Sequence, residues 1–331
     1  MRICCVEAAI KMTTIGNNDT STSRQSMRLR AAWMYHIEGL TQSQIADRLG
    51  VGRVTVVRLL SDARNRNEVR INIVGQLSEC FQLGKELEKK FDIQEVIVVP
   101  SSEPQGDATV VIGAALGDCV SKLVRPSMTL GVGWGRTLHH SLSNMVQQNV
   151  SDLEVISLVG GITKAREVNP AEFAWQFSNL LGAESYLLTA PAFVDSSETK
   201  TALIERCGLD EVFAKASKMD ACLLSVAPIT QSATTFKYHL LTETERVSLI
   251  EAGAVGDVLC NFFNDKGQLL DHEVNRRVMS IPIETILRVP IRILASGGRE
   301  KDASLLGGIK LLRPTVFITD ENSAARLLQN S

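Results

Sequence analysis

The sequence lacks the cysteine spacing that zinc sites, redox centres and disulfide-rich folds require. It contains seven cysteines, an odd number, and no two of them form a C-x-x-C pair. Apart from the adjacent Cys4 and Cys5 they are scattered, at Cys80, Cys119, Cys207, Cys222 and Cys260. This usage is typical of reduced, buried thiols in a cytoplasmic protein, so we expect a cytoplasmic chain without a metal site.

Long apolar runs are also missing. No apolar stretch reaches the roughly 18 residues that a membrane-spanning helix needs. Residues 1–20 lack an apolar segment long enough for a secretory signal, and we interpret them as part of a disordered tail. The chain of 331 residues is 44% hydrophobic with a net charge of −2, which allows two domains with real cores.

Motifs for catalysis are absent as well. There is no G-x-S-x-G elbow and no P-loop, and Gly131, Gly133 and Gly135 form G-x-G-x-G instead of the dinucleotide-binding G-x-G-x-x-G. On a helix the side chains of the adjacent His139 and His140 would point about 100° apart, so they are poorly placed to bind the same metal ion. We therefore expect neither a cofactor nor an enzyme activity.

Residues 40–60 carry the most informative pattern that is present. Two short helices are predicted, over 42–49 and over 53–65, with a glycine-containing turn between them. Thr41 can cap the first helix, and Gly50 can take the left-handed conformation that ends it. This arrangement predicts a helix-turn-helix, whose second helix enters the DNA major groove.

Charge supports the same interpretation. Between residues 24 and 70 there are nine arginines and four acidic residues, a net charge of +5 that suits a phosphate backbone. We expect Val54, Val57 and Leu60 to face inward. The DNA contacts are then predicted at Gln42, Ser43, Arg53, Thr55, Val56 and Arg58, with operator DNA as the partner.

From residue 93 onward, short apolar segments alternate with helical patterns. Strands are expected at 96–99, 129–132, 155–159, 186–188, 221–226, 258–263, 291–295 and 316–319. This alternation indicates an α/β fold with a Rossmann-like parallel sheet covered on both faces. The expected domains are a disordered tail (1–26), a helix-turn-helix DNA-binding domain (27–75), a linker helix (76–92) and an effector-binding domain (93–331). The strand expected at 68–74 is either a wing of the DNA-binding domain or the connector.

Glycine-rich segments follow three of these strands, at 130–137, 159–164 and 295–301. Ligands of open parallel sheets bind beyond the carboxyl ends of the strands, where glycines let backbone N–H groups approach an anion. The predicted effector-binding residues are Gly133, Trp134, Gly135, Arg136, Thr137, Gly160, Gly161, Asp257, Asn261 and Lys301. A phosphate or a polyhydroxyl compound suits this set.

Three of these residues have an alternative, structural interpretation. Trp134 either stacks on a sugar face or closes the domain edge. Asp257 either accepts ligand hydroxyls or caps a turn, and Asn261 is either a ligand contact or a polar residue of the core.

Five segments have a distinctive combination of residues. They read RLRAAWMYHIEGLTQSQIADRLGVGRVTVVRLL, LGVGWGRTL, GAVGDVLCNFFNDKG, ILASGGREKDASLLGG and VFITDENSAARLL. In combination, and over about residues 28–328, they resemble the SorC family of bacterial sugar-binding transcriptional regulators, and erythritol-type regulators in particular.

The resemblance implies a winged helix-turn-helix and a sensor domain similar in fold to ribose-5-phosphate isomerase and glucosamine-6-phosphate deaminase. It also implies assembly as a tetramer and a response to sugars, polyols or sugar phosphates. The phosphate-loop role would fall on Gly133, Gly135, Arg136 and Thr137, with Gly160 and Gly161 as a second loop and further roles for Asp257 and Lys301. Gly52 and Val54 stand where this family often has Ser and Pro, so its operator sequences cannot be transferred.

Three functions are compatible with these patterns. The favoured one is a sugar-responsive transcriptional regulator that self-associates as a dimer or tetramer; repressor and activator are both possible, and a repressor is favoured. The second is a sugar-phosphate isomerase or deaminase with an appended DNA-binding domain, which the missing acid/base cluster disfavours. The third is an architectural DNA-binding protein whose large domain only oligomerises.

Overall fold

The computed structural model describes residues 19–66, 68–69, 77–101, 107–163 and 169–329. The chain divides into two compact units, Met1–Ile73 and Val74–Ser331. None of the described helices is long and apolar enough to cross a bilayer.

The first unit contains α1 (Asp19–His36), α2 (Gln42–Leu49) and α3 (Arg53–Asn65) among its described residues. Thr41 and Gln44 form a reciprocal capping box at the start of α2, and α2 ends at Gly50 in the left-handed conformation, with φ 64°. The cap at Thr41 and the left-handed Gly50 had been predicted from the sequence. The core of the unit consists of Ala31, Ala32, Ile45, Ala46, Val56, Leu59, Leu60 and Ala63.

The buried face of α3 differs from the predicted one. Val56 is fully buried, whereas Val54 is 75% exposed and Val57 is 46% exposed. The helix carries two overlapping apolar stripes, and the packing selects the one that runs from Val56 through Leu59 and Leu60. The prediction that Val56 contacts DNA is therefore wrong, and the exposed valines take its place on the outer face.

This packing predicts that the same valine-to-alanine substitution has different effects on stability at two positions of α3. Val56→Ala should destabilise the first unit by about 2 kcal/mol, because it removes two buried methyl groups and leaves a cavity. Val54→Ala changes helix propensity equally but should stay within about 0.5 kcal/mol of wild type, because its side chain is exposed. Hydrogen exchange of the α1–α3 amides measures both, and a larger effect at Val54 would contradict the assigned face.

The ends of the first unit also differ from the prediction. Helix α1 begins at Asp19, so residues 19–26 are helical, and the remainder of the expected disordered tail lies outside the described residues. Of the strand or wing expected at 68–74, Glu68 and Val69 are not in a strand and the rest lies outside the described residues. Glu68 instead forms a bidentate ion pair with Arg28. Because Arg28 is 8% exposed and paired with Glu68, this arginine is removed from the basic surface.

The second unit is built on a parallel sheet, as the strand–helix alternation predicted. Its described residues form seven strands in the order β1-β10-β9-β5-β2-β3-β4. The strands of the unit are β1 (Glu95–Val99), β2 (Thr129–Val132), β3 (Glu154–Ser157), β4 (Glu184–Tyr186), β5 (Ala221–Leu224), β6 (Val226–Pro228), β7 (Gly256–Val258), β8 (Asn261–Phe263), β9 (Ile291–Ala295) and β10 (Val316–Asp320). The register pairs Ile97 with Ile318 and Leu223 with Ile293.

Helices of the second unit cover both faces of this sheet. The helices of the unit are α4 (Ser78–Phe91), α5 (Thr109–Leu123), α6 (Arg136–Ser141), α7 (Pro170–Leu181), α8 (Ser197–Arg206), α9 (Asp210–Ala216), α10 (Thr234–Lys237), α11 (Glu243–Glu251), α12 (Glu273–Arg276), α13 (Ile283–Ile286), α14 (Asp302–Leu312) and α15 (Glu321–Gln329). Three of them, α10, α11 and α12, pack instead around the small antiparallel sheet of β6, β7 and β8. One apolar cluster joins the sheet to α5, α6 and α7, and another joins it to α4, α9, α14 and α15.

The segment 258–263 is a hairpin, not a strand of the main sheet as predicted. Leu259 and Cys260 have positive φ values of 51° and 63°, so the chain reverses between β7 and β8. The Asp257 carboxylate accepts a hydrogen bond from the Cys260 N–H at 3.1 Å and holds this turn. Together with β6, the hairpin forms an antiparallel sheet that begins where β5 ends.

The helix expected to link the domains lies within the second unit. Leu87 of α4 is fully buried in the same apolar cluster as Val96 and Val98 of β1. A Cβ atom on Gly84 would come within 2.9 Å of the Val96 carbonyl oxygen, so α4 lies directly against the strand. Lys90 Nζ also donates to the Leu328 carbonyl at 2.8 Å. Helix α4 is therefore a structural layer of the α/β unit.

Candidate functional site

A cavity of about 390 Å³ opens at the carboxyl edge of the sheet. Its walls come from the loops that follow β2, β5 and β9, from the start of α5, and from β6 and the β7–β8 hairpin. The strand order places β9, β5 and β2 side by side, so the ends of these three strands meet at one edge. This is the position at which open parallel sheets bind ligands.

Two of its loops depend on glycine. Gly135 has φ 126° and Gly298 has φ 106°, conformations that side chains with a Cβ rarely adopt. Each glycine immediately precedes a helical turn, which begins at Arg136 in one case and at Arg299 in the other. Free backbone N–H groups of two helix starts are therefore present at the cavity wall.

Asp257 is the most unusual residue of the cavity. Its side chain is 4% exposed, and although one carboxylate oxygen accepts from Cys260, the other, Oδ1, is buried without a hydrogen-bond partner. Burial raises the pKa of Asp257 to about 7. Thr109 Oγ1, also in the cavity wall, is likewise buried without a partner. Buried polar atoms of this kind are costly unless a ligand or water supplies the missing hydrogen bond.

Lys301 brings a positive charge to the same cavity. Its Nζ donates to Ser296 Oγ at 3.2 Å. Burial and the charge of Arg136 together lower the pKa of Lys301 to about 8, against the charges of Asp107, Asp257 and Asp320, which act in the opposite direction. A buried acid and a partly buried base with such shifted pKa values make the cavity sensitive to the hydrogen bonds that a ligand brings.

The rim of the cavity carries an ion pair. Arg136 Nη1 and Asp107 Oδ2 lie 3.0 Å apart, and both side chains are about half exposed. Asp107 Oδ1 accepts from the Thr109 N–H at 3.0 Å, so the carboxylate is also attached to the first turn of α5.

Six of the predicted effector-binding residues line this cavity: Trp134, Gly135, Arg136, Thr137, Asp257 and Lys301. Two roles were considered for Trp134. Because its side chain lies within the apolar core and is 7% exposed, the structure favours the role of closing the cavity wall. Asp257 has the turn-capping role considered for it, since one oxygen holds the turn; the other oxygen remains unpaired, and its acceptance of ligand hydroxyls stays a prediction.

The other four predicted residues do not line the cavity. Gly133 donates its N–H to the Leu223 carbonyl at 2.8 Å within the sheet edge. Asn261 Nδ2 donates to the Leu259 carbonyl and to Ser280 Oγ, both at 2.9 Å, and so has the structural role considered for it.

Gly160 and Gly161 were assigned to the site because they follow a strand, and the structure places them elsewhere. A Cβ atom on Gly160 would lie 2.5 Å from the Ala190 carbonyl oxygen, and Gly161 forms a bridge with Pro191. These glycines therefore serve close contact between chain segments.

Other lining residues were missed by the sequence interpretation. They are Asp107, Ala108, Thr109, Ser225, Val226, Ala227, Pro228, Ser232, Ala233, Thr234, Thr235 and Leu259. The polar run TQSATT at 230–235, directly after a strand, is the one signal that could have indicated them. No group of three His, Cys, Asp or Glu side chains among the described residues is arranged to hold a metal ion.

The candidate DNA-binding face lies on α2 and α3. Ser43, Arg53, Thr55 and Arg58 are exposed, and Arg53 Nε donates to Gln42 Oε1 at 3.4 Å. Val54 and Val57 add exposed apolar surface to this face, which suits contact with thymine methyl groups.

Comparison with known proteins identifies both units. Residues 22–68 match a family described as "Homeodomain-like domain", and residues 75–329 match the Sugar-bind family, described as "Putative sugar-binding domain". The chain is 27% identical over 305 residues to the erythritol catabolism regulatory protein EryD of Brucella abortus (strain 2308), covering 92% of this chain and 96% of that protein. It is 26% identical over 309 residues to the deoxyribonucleoside regulator of Bacillus subtilis (strain 168), covering 93% and 98%.

The fold is also that of a known regulator. The full-length sorbitol operon regulator SorC of Klebsiella pneumoniae superposes with a TM-score of 0.69 at 23% identity, covering 93% of this chain and 99% of that chain. The relatives are named as regulators and not as enzymes, which agrees with the prediction of a non-enzyme. The chain therefore belongs to the SorC family of sugar-binding transcriptional regulators.

Proposed function

We propose that this regulator controls a carbohydrate or polyol catabolic operon, and that its effector is a sugar, polyol or sugar phosphate bound in the cavity around Asp257 and Lys301. The observation that carries the proposal is the unpaired, buried Asp257 Oδ1, because a ligand hydroxyl supplies the hydrogen bond that this oxygen lacks. The cavity of about 390 Å³ is of a size that ligand sites commonly have. The names of the relatives, an erythritol catabolism regulator and a deoxyribonucleoside regulator, support the same class of effector.

The DNA-binding side of the proposal uses the exposed face of α3. Arg53 and Arg58 contact the operator, while Gln42 and Ser43 at the start of α2 contact the backbone. Self-association as a dimer or tetramer presents paired recognition helices to paired half-sites. The effector favours one quaternary arrangement, and because its affinity differs between the arrangements it shifts operator affinity. The protein is proposed to repress its operon. It is proposed to act in the cytoplasm, where the DNA is.

A ligand screen tests this proposal. Full-length protein is heated with sugars, polyols and their phosphates, and a true effector should raise the melting temperature, since it binds only the folded state. The compound that stabilises the protein should also change operator affinity at fixed salt concentration. If no compound shifts the melting temperature while operator binding is intact, the second unit has no small-molecule effector of this class.

A further inference from the structure

Acidic side chains offset the basic side chains at the rim of the cavity. The loop after β2 presents Arg136, the side chain best suited to bind a phosphate, yet Asp107 already occupies it at 3.0 Å. Deeper in the cavity Asp257 and Lys301 offset one another, and at the entrance Glu300 faces Ser232 at 3.5 Å. Arg299 also lines the cavity, so its described lining residues carry three acidic and three basic side chains, which leaves no net positive charge for an anion when all six are ionised.

Asp107 is held in this position from two sides. One oxygen accepts from the Thr109 N–H at the start of α5, and the other meets Arg136. Burial opposes ionisation, but these hydrogen bonds and the charge of Arg136 keep the pKa of Asp107 below its ordinary value. The carboxylate is thus a fixed negative charge beside the arginine that would otherwise bind a phosphate.

We propose that Asp107 is a specificity-determining residue that makes the cavity select an uncharged polyhydroxyl compound over a phosphate monoester. A phosphate within reach of Arg136 would lie only a few ångströms from the Asp107 carboxylate, and like charges at that separation repel strongly outside bulk water. A neutral polyol meets no such repulsion and donates hydroxyls to Asp257 Oδ1. This inference rests on the proposed function, because it concerns the same cavity.

Inorganic phosphate is a suitable probe, because it tests the rim whatever the effector is. Its binding to full-length protein is measured by titration calorimetry at constant ionic strength. Asp107→Asn should bind phosphate roughly tenfold more tightly than wild type, since the amide keeps an acceptor for Thr109 but removes the charge. Asp107→Ser, which also keeps an acceptor, serves as a second variant. Adding Arg136→Gln to Asp107→Asn should abolish the gain.

Asp118→Asn is the matched control. Asp118 lies on α5, the helix that Asp107 precedes, and also forms an ion pair, with Lys122, but is not among the cavity residues. It should leave phosphate binding at the wild-type value. Phosphate binding that is equal in wild type, Asp107→Asn and Asp107→Ser would overturn the proposal, as would a gain in Asp118→Asn of the same size.

A parallel titration with erythritol separates this inference from the proposed function. If the Asp107 variants gain phosphate binding while neither erythritol nor any other compound of the screen binds wild type, the exclusion of anions stands and the proposed effector class is wrong. If erythritol binds wild type but the Asp107 variants gain no phosphate binding, the effector class stands and the role of Asp107 is wrong.

Discussion

Replacing Arg58 by alanine is expected to weaken operator binding roughly tenfold to hundredfold, the loss that follows when an arginine no longer contacts a base edge. Arg58 is exposed on α3, on the side opposite the buried stripe that contains Val56. The substitution should therefore leave the stability of the first unit within about 0.5 kcal/mol of wild type. Fluorescence anisotropy with an operator fragment at fixed salt concentration measures the loss.

The control for this prediction is the same substitution outside the DNA-binding unit. Arg206→Ala removes an exposed arginine from the last turn of α8 and should bind DNA as wild type does. If Arg58 contacts a base, sequence discrimination relaxes at one operator position, whereas a phosphate contact lowers the salt slope by about one. Wild-type affinity in both Arg58→Ala and Arg53→Ala would mean that α3 is not the recognition helix.

The Asp257→Asn substitution should lower effector affinity about tenfold to hundredfold, because the amide has a single acceptor oxygen, which the Cys260 N–H occupies, and the ligand hydroxyl loses its acceptor. Without effector, the same substitution should stabilise the protein at neutral and higher pH. Because the pKa of the buried Asp257 is raised to about 7, the folded state holds a proton that the unfolded chain has released. Its contribution to wild-type stability is therefore lost as pH rises from about 4 through 7, and asparagine removes this dependence.

Asp265→Asn is the matched control for this second prediction. Asp265 is an exposed carboxylate just after β8, away from the cavity walls. It should change neither the effector response nor the pH profile of unfolding. Titration calorimetry with the effector, and urea unfolding at several pH values, measure the two effects separately. An Asp257→Asn protein that keeps the full effector response would place the effector elsewhere in the molecule.

The local signals of the sequence were sufficient for much of the molecule. The cap at Thr41 and the left-handed Gly50 depend on residues within a few positions of each other, and both were predicted correctly. The strand–helix alternation predicted the parallel α/β class, and the motifs predicted the SorC family. Five residues of the cavity, Trp134, Gly135, Arg136, Thr137 and Lys301, were found because the carboxyl ends of parallel strands meet at one edge.

The remaining features depend on contacts between distant parts of the chain. Val54 and Val56 are chemically identical, and only packing against α1 and α2 decides which of them is buried. Gly135 and Gly160 both follow strands, but one lines the cavity and the other lies against the chain near Ala190. Composition and periodicity thus determined the elements and their class. The tertiary structure determined which face is buried and which charges meet, because burial and ion pairing arise between residues that the sequence holds far apart.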